Sequence, residues 1–163
     1  MAILIRPGDA ADVDAAVSVY ERSNLAHRQG VWPNRAVGRE RVTSHLRDPV
    51  SWFLLAEEVP LVVGMASAEP LRGEDGAGRV IAGGCFLNLV FVVPERWGEG
   101  IGGVILDAVL AEAKRRHYSR IHLWTHEDNE RSRRLYRSRG FSPTGRTADG
   151  EGEWARDLTE SRN

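Results

Sequence analysis

Cysteine is all but absent from this 163-residue chain: Cys85 stands alone, so no internal disulfide can form. It lies in an apolar, strand-like run and reads as a small buried side chain rather than a nucleophile. No stretch approaches the ~20 apolar residues that a membrane-crossing helix needs. The N-terminus lacks the basic-then-apolar layout of a secretory leader. A cytoplasmic location and no membrane partner are the expectation. Charge of one sign is missing too: 22 Lys and Arg stand against 23 Asp and Glu, a net charge of −1. Nothing in that balance favours nucleic acid or strongly acidic partners. Lys114 is the only lysine, and an arginine-dominated positive set carries no functional reading of its own. Metal-ligand spacing is lacking as well. Of His27, His45, His117, His122 and His126, only the last two are close. Residues four apart share a face on a helix, whereas these span a strand end, so no metal is expected.

What remains is an ordinary globular mixture, 42% hydrophobic and 28% charged. A chain of this length fits one domain over residues 1–163 and buries roughly two-thirds of its unfolded surface. Residues 2–6 read as a short strand closed by Pro7-Gly8. Asp9 then caps a helix whose apolar face is Val13, Ala16, Val17 and Tyr20, and which fades near His27 to Gly30. A second helix is predicted from about Arg35 to Leu46, stopped by Asp48-Pro49. Two strands follow, 51–56 and 60–68, and then an exposed, glycine-rich hairpin loop from Pro70 to Gly78. A long strand from Val80 to Val93 leads through a glycine turn into a helix from Val104 to about Arg116. A strand at 120–125, a short helix from Asn129 to Arg139 stopped by Gly140, and a hairpin of 141–147 with 151–158 complete the chain. The order is β-α-α-β-β-β-α-β-α-β-β, a mixed α/β domain with a largely antiparallel front half.

The glycine turn, Gly98-Glu99-Gly100-Ile101-Gly102-Gly103, sits between a strand and a helix. Glycines admit a ligand close to the backbone, and the first-turn N–H groups of a helix have no partner inside it. Together with the positive end of the helix dipole they attract phosphate or pyrophosphate. Gly98-x-Gly100-x-x-Gly103 formally matches the dinucleotide fingerprint, with Glu127 or Asp128 at a suitable distance downstream. Four residues, Pro94 to Trp97, separate the strand from the first glycine, however. No series of βαβ units follows, which disfavours a nucleotide-dependent oxidoreductase. A P-loop is excluded because no Gly-Lys-Ser/Thr follows.

A more specific match covers the same residues. Pro94-x-x-Trp97-Gly98-x-Gly100-x-Gly102 resembles the acyl-CoA signature of the GNAT superfamily of N-acetyltransferases, which usually carries Gln or Arg where this chain has Trp97. A second motif of that superfamily matches Asn129-x-x-Ser132-x-x-Leu135-Tyr136-x-x-x-Gly140-Phe141, with Ser132 where Ala is common. The element order is also that of the GNAT acyl-CoA N-acyltransferase fold. The resemblance thus spans essentially the whole chain, strongest from Leu87 to Phe141 and only topological before Val80.

The resemblance implies acetyl-CoA as donor and a primary amine of a small molecule or peptide as acceptor, joined by direct transfer in a ternary complex. It implies that the main chain of Phe91, Val92 and Val93 pairs with the pantetheine arm, where parallel central strands at 87–93 and 120–125 splay apart. The backbone of Trp97, Gly98, Glu99, Gly100, Ile101, Gly102 and Gly103 would cradle the pyrophosphate. Tyr136 would be the general acid for the departing thiolate, with Ser132 on its helix face. Asn129 would contact the cofactor's arm, cap its helix, or both. Arg131, Arg133 and Arg134 would either approach the 3′-phosphate or form a solvated face. The long central strand offers Asn88 and no acid, so the base falls to Glu69, His122, His126, Glu127 or water. Acceptor contacts are expected from His27 to Asn34, with Trp32 as an apolar wall, and from the loop at 70–78. Near-neutral charge weighs against a histone-tail or polyamine acceptor. Homodimers are common in the superfamily. The rival reading is a catalytically silent acyl-CoA-binding regulatory module. A thermal-shift comparison separates the donor readings: acetyl-CoA and CoA should raise Tm, and stabilisation by NAD alone would overturn the assignment.

Overall fold

The computed structural model describes residues 2–28 and 38–159. Its elements follow the expected order: β1 (Leu4–Pro7), α1 (Val13–Arg28), α2 (Arg39–Arg47), β2 (Trp52–Glu58), β3 (Leu61–Arg72), β4 (Val80–Val92), α3 (Ile101–Arg115), β5 (Arg120–His126), α4 (Glu130–Ser138), β6 (Ser142–Ala148) and β7 (Glu151–Asp157). The strands form a seven-stranded mixed sheet in the order β1-β2-β3-β4-β5-β7-β6. The chain divides into two compact units, 1–67 with 89–108 and 68–88 with 109–163, so β3, β4 and α3 each contribute to both.

In the first unit β1 pairs antiparallel with β2, Arg6 opposite Leu55. The chain then enters α1 through a short 3-10 turn, Ala10–Asp12. Asp9 caps it as the sequence suggests, accepting the Ala11 N–H at 2.9 Å, while Asp12 accepts the Asp9 N–H at 2.9 Å. This reciprocal box satisfies donors that the first turn leaves open. Asp12 also receives both ends of the Arg6 guanidinium, at 2.7 and 2.8 Å. Along α1 the expected face, Val13, Ala16, Val17 and Tyr20, is buried, joined by Val19. Tyr20 packs edge-on against Phe91 of β4, ring centroids 5.3 Å apart. β2 is buried from Trp52 to Ala56. Where β3 passes under α3, a Cβ on Gly64 would stand 2.5 Å from the Ile105 side chain and 3.2 Å from the Phe91 carbonyl oxygen. Glycine there lets the helix that follows the glycine turn lie close on the strands.

In the second unit β4 and β5 run parallel, with Gly84–Phe86 opposite Arg120–His122. β5 pairs along its whole length with β7, and β6 closes the edge. The edge strand is exposed throughout and carries Pro143 and a register shift before Thr147, features that blunt further strand addition. The β6–β7 turn has positive φ at both Asp149 (52°) and Gly150 (82°), as a two-residue hairpin turn demands. α4 lies on the β7 face, with the Arg137 guanidinium 5.6 Å from the Trp154 ring.

The boundaries differ from expectation at three places. β3 continues through Pro70 to Arg72, so the loop shrinks to 73–79 around a 3-10 turn at Glu74–Gly76. Proline removes only its own donor, and pairing with β4 carries the strand past it. α2 begins at Arg39 rather than near Arg35. α3 begins at Ile101, inside the glycine run.

Arg6 holds the Asp12 carboxyl well below the usual carboxylate range, chiefly through the side-chain hydrogen bonds. A carboxyl depressed only in the folded state means that the unfolded chain protonates first as pH falls. The stabilisation is therefore complete above about pH 4 and drains below it. Asp12→Asn should lower Tm at pH 7 and flatten the acid limb of the stability curve below about pH 4, measured by thermal melts across pH. An unchanged acid limb would contradict this account.

Candidate functional site

The glycine turn begins where β4 stops. Val93 donates its N–H to the Val63 carbonyl at 2.9 Å, so that group is committed to the sheet. The Phe91 carbonyl faces Gly64 on the same side. Successive peptide groups alternate between the two edges of a strand, so of the three expected main-chain positions only Val92 directs its polar groups away from β3. The Val92 carbonyl accepts the indole N–H of Trp97 at 2.8 Å. Trp97 therefore fastens the loop back onto the strand end, a contact hidden in the sequence, where its replacement of a polar residue reads only as a departure.

A 3-10 turn, Pro94–Arg96, follows, with proline where a helix start needs no donor. Gly98 and Gly100 then take φ of +85° and +83°, and a Cβ at either would meet nothing within 4 Å. They are required by backbone conformation alone, not by crowding. Gly102 and Gly103 are helical, so the run that looks like one turn is two left-handed glycines and then the first turn of α3. The opening helix bond runs from the Val104 N–H to the Gly100 carbonyl at 3.3 Å. The N–H groups of Ile101, Gly102 and Gly103 precede it and have no acceptor within the helix. Three donors at the positive end of a 15-residue helix make an anion cradle.

The loop is tied down by charged contacts from the same unit. Arg22 of α1 pairs with Glu95. Arg96 donates through Nε to both carboxylate oxygens of Glu99, at 3.0 and 2.8 Å, and through Nη2 to Glu58 at 2.7 Å.

The second motif lies on α4. Asn129 caps the helix, its Oδ1 accepting the Ser132 N–H at 3.1 Å. Tyr136 is buried and packs edge-on against Phe141 at 5.7 Å. Burial pushes its phenol up to about 12, so it keeps its proton throughout the physiological range. Burial likewise pushes the Cys85 thiol up to about 12, as expected of an inert core thiol. Arg133 is spent locally on the Glu127 carbonyl at 3.3 Å and on Glu130, whereas Arg131 and Arg134 are exposed.

Among the base candidates, His122 is already engaged. Its Nε2 accepts the Arg120 Nε–H at 3.1 Å, and its Nδ1 lies 3.3 Å from Glu153 without hydrogen-bond alignment. That bond occupies the Nε2 position, while Nδ1 is buried with no hydrogen-bond partner. The buried Glu153 also accepts from Thr144 at 2.8 Å and from Arg146 at 3.2 Å. Nothing in the sequence signals this cluster, because it depends on the register that sets Trp124 opposite Glu153. Glu69 is half-buried near the end of β3. His126 lies 3.8 Å from Glu151, and Glu127 is exposed with its N–H on the Gly150 carbonyl. Residues 29–34 of the expected acceptor segment, Trp32 included, lie outside the described residues. Among the described residues, no group of three His, Cys, Asp or Glu side chains is placed to hold a metal ion. No described helix is long and apolar enough to cross a membrane.

Comparison with known proteins gives a consistent result. The profile of the acetyltransferase (GNAT) family matches residues 14–141. The L-methionine sulfoximine/L-methionine sulfone acetyltransferase of Salmonella typhimurium is 27% identical over 150 residues, covering 86% of this chain and 80% of that protein. The acetyltransferase YncA of Salmonella typhimurium, solved with acetyl-CoA, superposes with a TM-score of 0.74 at 25% identity, covering 100% of this chain and 98% of its own. The PaiA N-acetyltransferase of Thermoplasma acidophilum, solved with coenzyme A, reaches a TM-score of 0.78 at 17% identity, covering 96% and 99%, a likeness of fold.

Because Gly98 and Gly100 are strained for any other residue but uncrowded, Gly98→Ala and Gly100→Ala should each cost about 1–2 kcal/mol. That corresponds to a Tm lower by several degrees. Gly145→Ala, with φ of +94° and equally open space but far along the chain on β6, is the control. All three should lose stability, and only the first two should also lose CoA affinity.

Proposed function

The chain belongs to the acetyltransferase (GNAT) family, and on that premise we propose that it transfers an acetyl group from acetyl-CoA to the primary amine of a small molecule, by direct attack within a ternary complex. The observation that carries the donor assignment is the cradle of Ile101, Gly102 and Gly103 N–H groups, opened by left-handed glycines at 98 and 100. It suits a pyrophosphate, which the positive end of α3 and its first-turn N–H donors attract. A relative that acetylates methionine sulfoximine and methionine sulfone supports a small acceptor, of amino-acid size, over a protein tail.

Bound acetyl-CoA supplies the acyl group as a thioester. The amine nitrogen attacks the carbonyl carbon, the carbon–sulfur bond breaks, and negative charge gathers on sulfur. Tyr136 meets that charge with its phenolic hydrogen. At about 12 the phenol is a weaker acid than an alkyl thiol near ~8.5. Its contribution is therefore a hydrogen bond to the forming thiolate, with the proton moving only as far as the sulfur draws it. The ammonium must lose a proton before it attacks, to water or to Glu69, His122, His126 or Glu127; of these the His122 Nε2 already accepts a bond from Arg120. Val92 alone of the three strand-end residues faces the edge away from β3, and its N–H is the main-chain donor offered to the pantetheine arm.

The first test is thiol release from acetyl-CoA across a panel of amino acids and their sulfoximine and sulfone analogues, with aminoglycosides and N-terminal peptides as contrast. Acetyl-CoA binding without turnover on any amine would favour the regulatory-module reading instead. With an acceptor in hand, Tyr136→Phe should lower kcat by about 10²-fold with little change in acetyl-CoA affinity. Unchanged turnover would remove Tyr136 from the mechanism. Glu69→Gln should lower kcat if Glu69 takes the proton, and leave kcat unchanged if water does.

A further inference from the structure

Glu99 is out of place by charge. It stands between the two left-handed glycines of a loop read above as the seat of a pyrophosphate, and a carboxylate there repels the anion the loop is built to attract. The carboxylate is not left free. Arg96, three residues earlier, takes both of its oxygens through Nε, and the remaining arm of the same guanidinium reaches Glu58 at the end of β2. The Arg96 side chain is only 24% exposed and Glu58 only 17%, so this contact is shielded more than a typical surface pair. The planar fork matters, because one guanidinium serves two carboxylates in fixed directions, which an ammonium does not do. The trio carries one net negative charge, shared between Glu58 and a Glu99 carboxylate that Arg96 holds through both oxygens.

We propose that Arg96 is a positioning residue of the donor cradle, which neutralises Glu99 and holds its carboxylate off the bound pyrophosphate. The inference rests on the acetyl-CoA reading of the loop. It differs from a purely mechanical role, in which Arg96 would only brace the turn. Under bracing, removing either carboxylate weakens the cradle. Under neutralisation, removing the Glu99 charge rescues the loss of Arg96.

Titration calorimetry of acetyl-CoA against the whole chain, with Tm recorded for each variant, decides between them. Arg96→Ala should weaken acetyl-CoA binding about tenfold, more at low than at high ionic strength. The double variant Arg96→Ala/Glu99→Gln should recover to within about threefold of the unaltered protein, and Glu99→Gln alone should bind no more weakly than it. Arg96→Lys, which keeps the charge, should fall between the two arginine-loss outcomes. If Arg96→Ala does not fold, Glu58→Gln and Glu99→Gln carry the test, since bracing demands that both weaken binding and neutralisation that neither does. A double variant no better than Arg96→Ala, or an unaffected Arg96→Ala, overturns the proposal. Failure of the unaltered protein to bind acetyl-CoA would instead overturn the donor reading itself.

Discussion

Three backbone N–H groups that α3 cannot satisfy, those of Ile101, Gly102 and Gly103, set the terms for the glycine turn ahead of it. A helix always leaves such donors at its start, and most are capped by a side chain. Here the residues ahead of the helix are glycines with positive φ. Neither glycine carries a side chain that could cap the donors. The surrounding structure exists to hold that turn in place. β4 delivers the chain, Trp97 ties the loop to the Val92 carbonyl, and Gly64 lets α3 settle close against the strands.

Charge organises the same region at a finer level. The chain is nearly neutral overall, so attraction of a polyanionic donor cannot come from a general field. Local pairing is denser: Arg22 meets Glu95, and Arg96 meets Glu58 and Glu99, so three acids at or beside the glycine loop are paired in place. In the other unit the same economy appears around Glu153, whose burial is offset by Thr144 and Arg146 and whose neighbour His122 is drawn into the network with Arg120. The strand position of His122 did not reveal these partners.

Tyr136 shows how burial alone prepares a group. No charged neighbour contributes to its raised phenol; the apolar packing against Phe141 and the helix face does. A phenol held protonated is suited to stabilise a thiolate as it forms, and that is the demand an acyl transfer from a thioester makes on the protein.

Much of this was legible in one dimension. Periodicity marked the α1 face down to its four residues, Asp9 announced its cap, and Asp149-Gly150 announced a two-residue turn. The paired motifs around Gly98 and Tyr136 carried the family, since local backbone demands are written directly in glycine and cap positions. Pro70 misled, because a strand's tolerance of proline depends on its neighbours rather than on the residue. What only the tertiary structure decided was partnership: which edge Val92 faces, that Trp97 reaches its carbonyl, that Arg96 spans two acids, and that His122 is occupied. Conformational preference is a property of a residue and its immediate neighbours, whereas the partner of a side chain is set by strand register and by segments up to dozens of residues away.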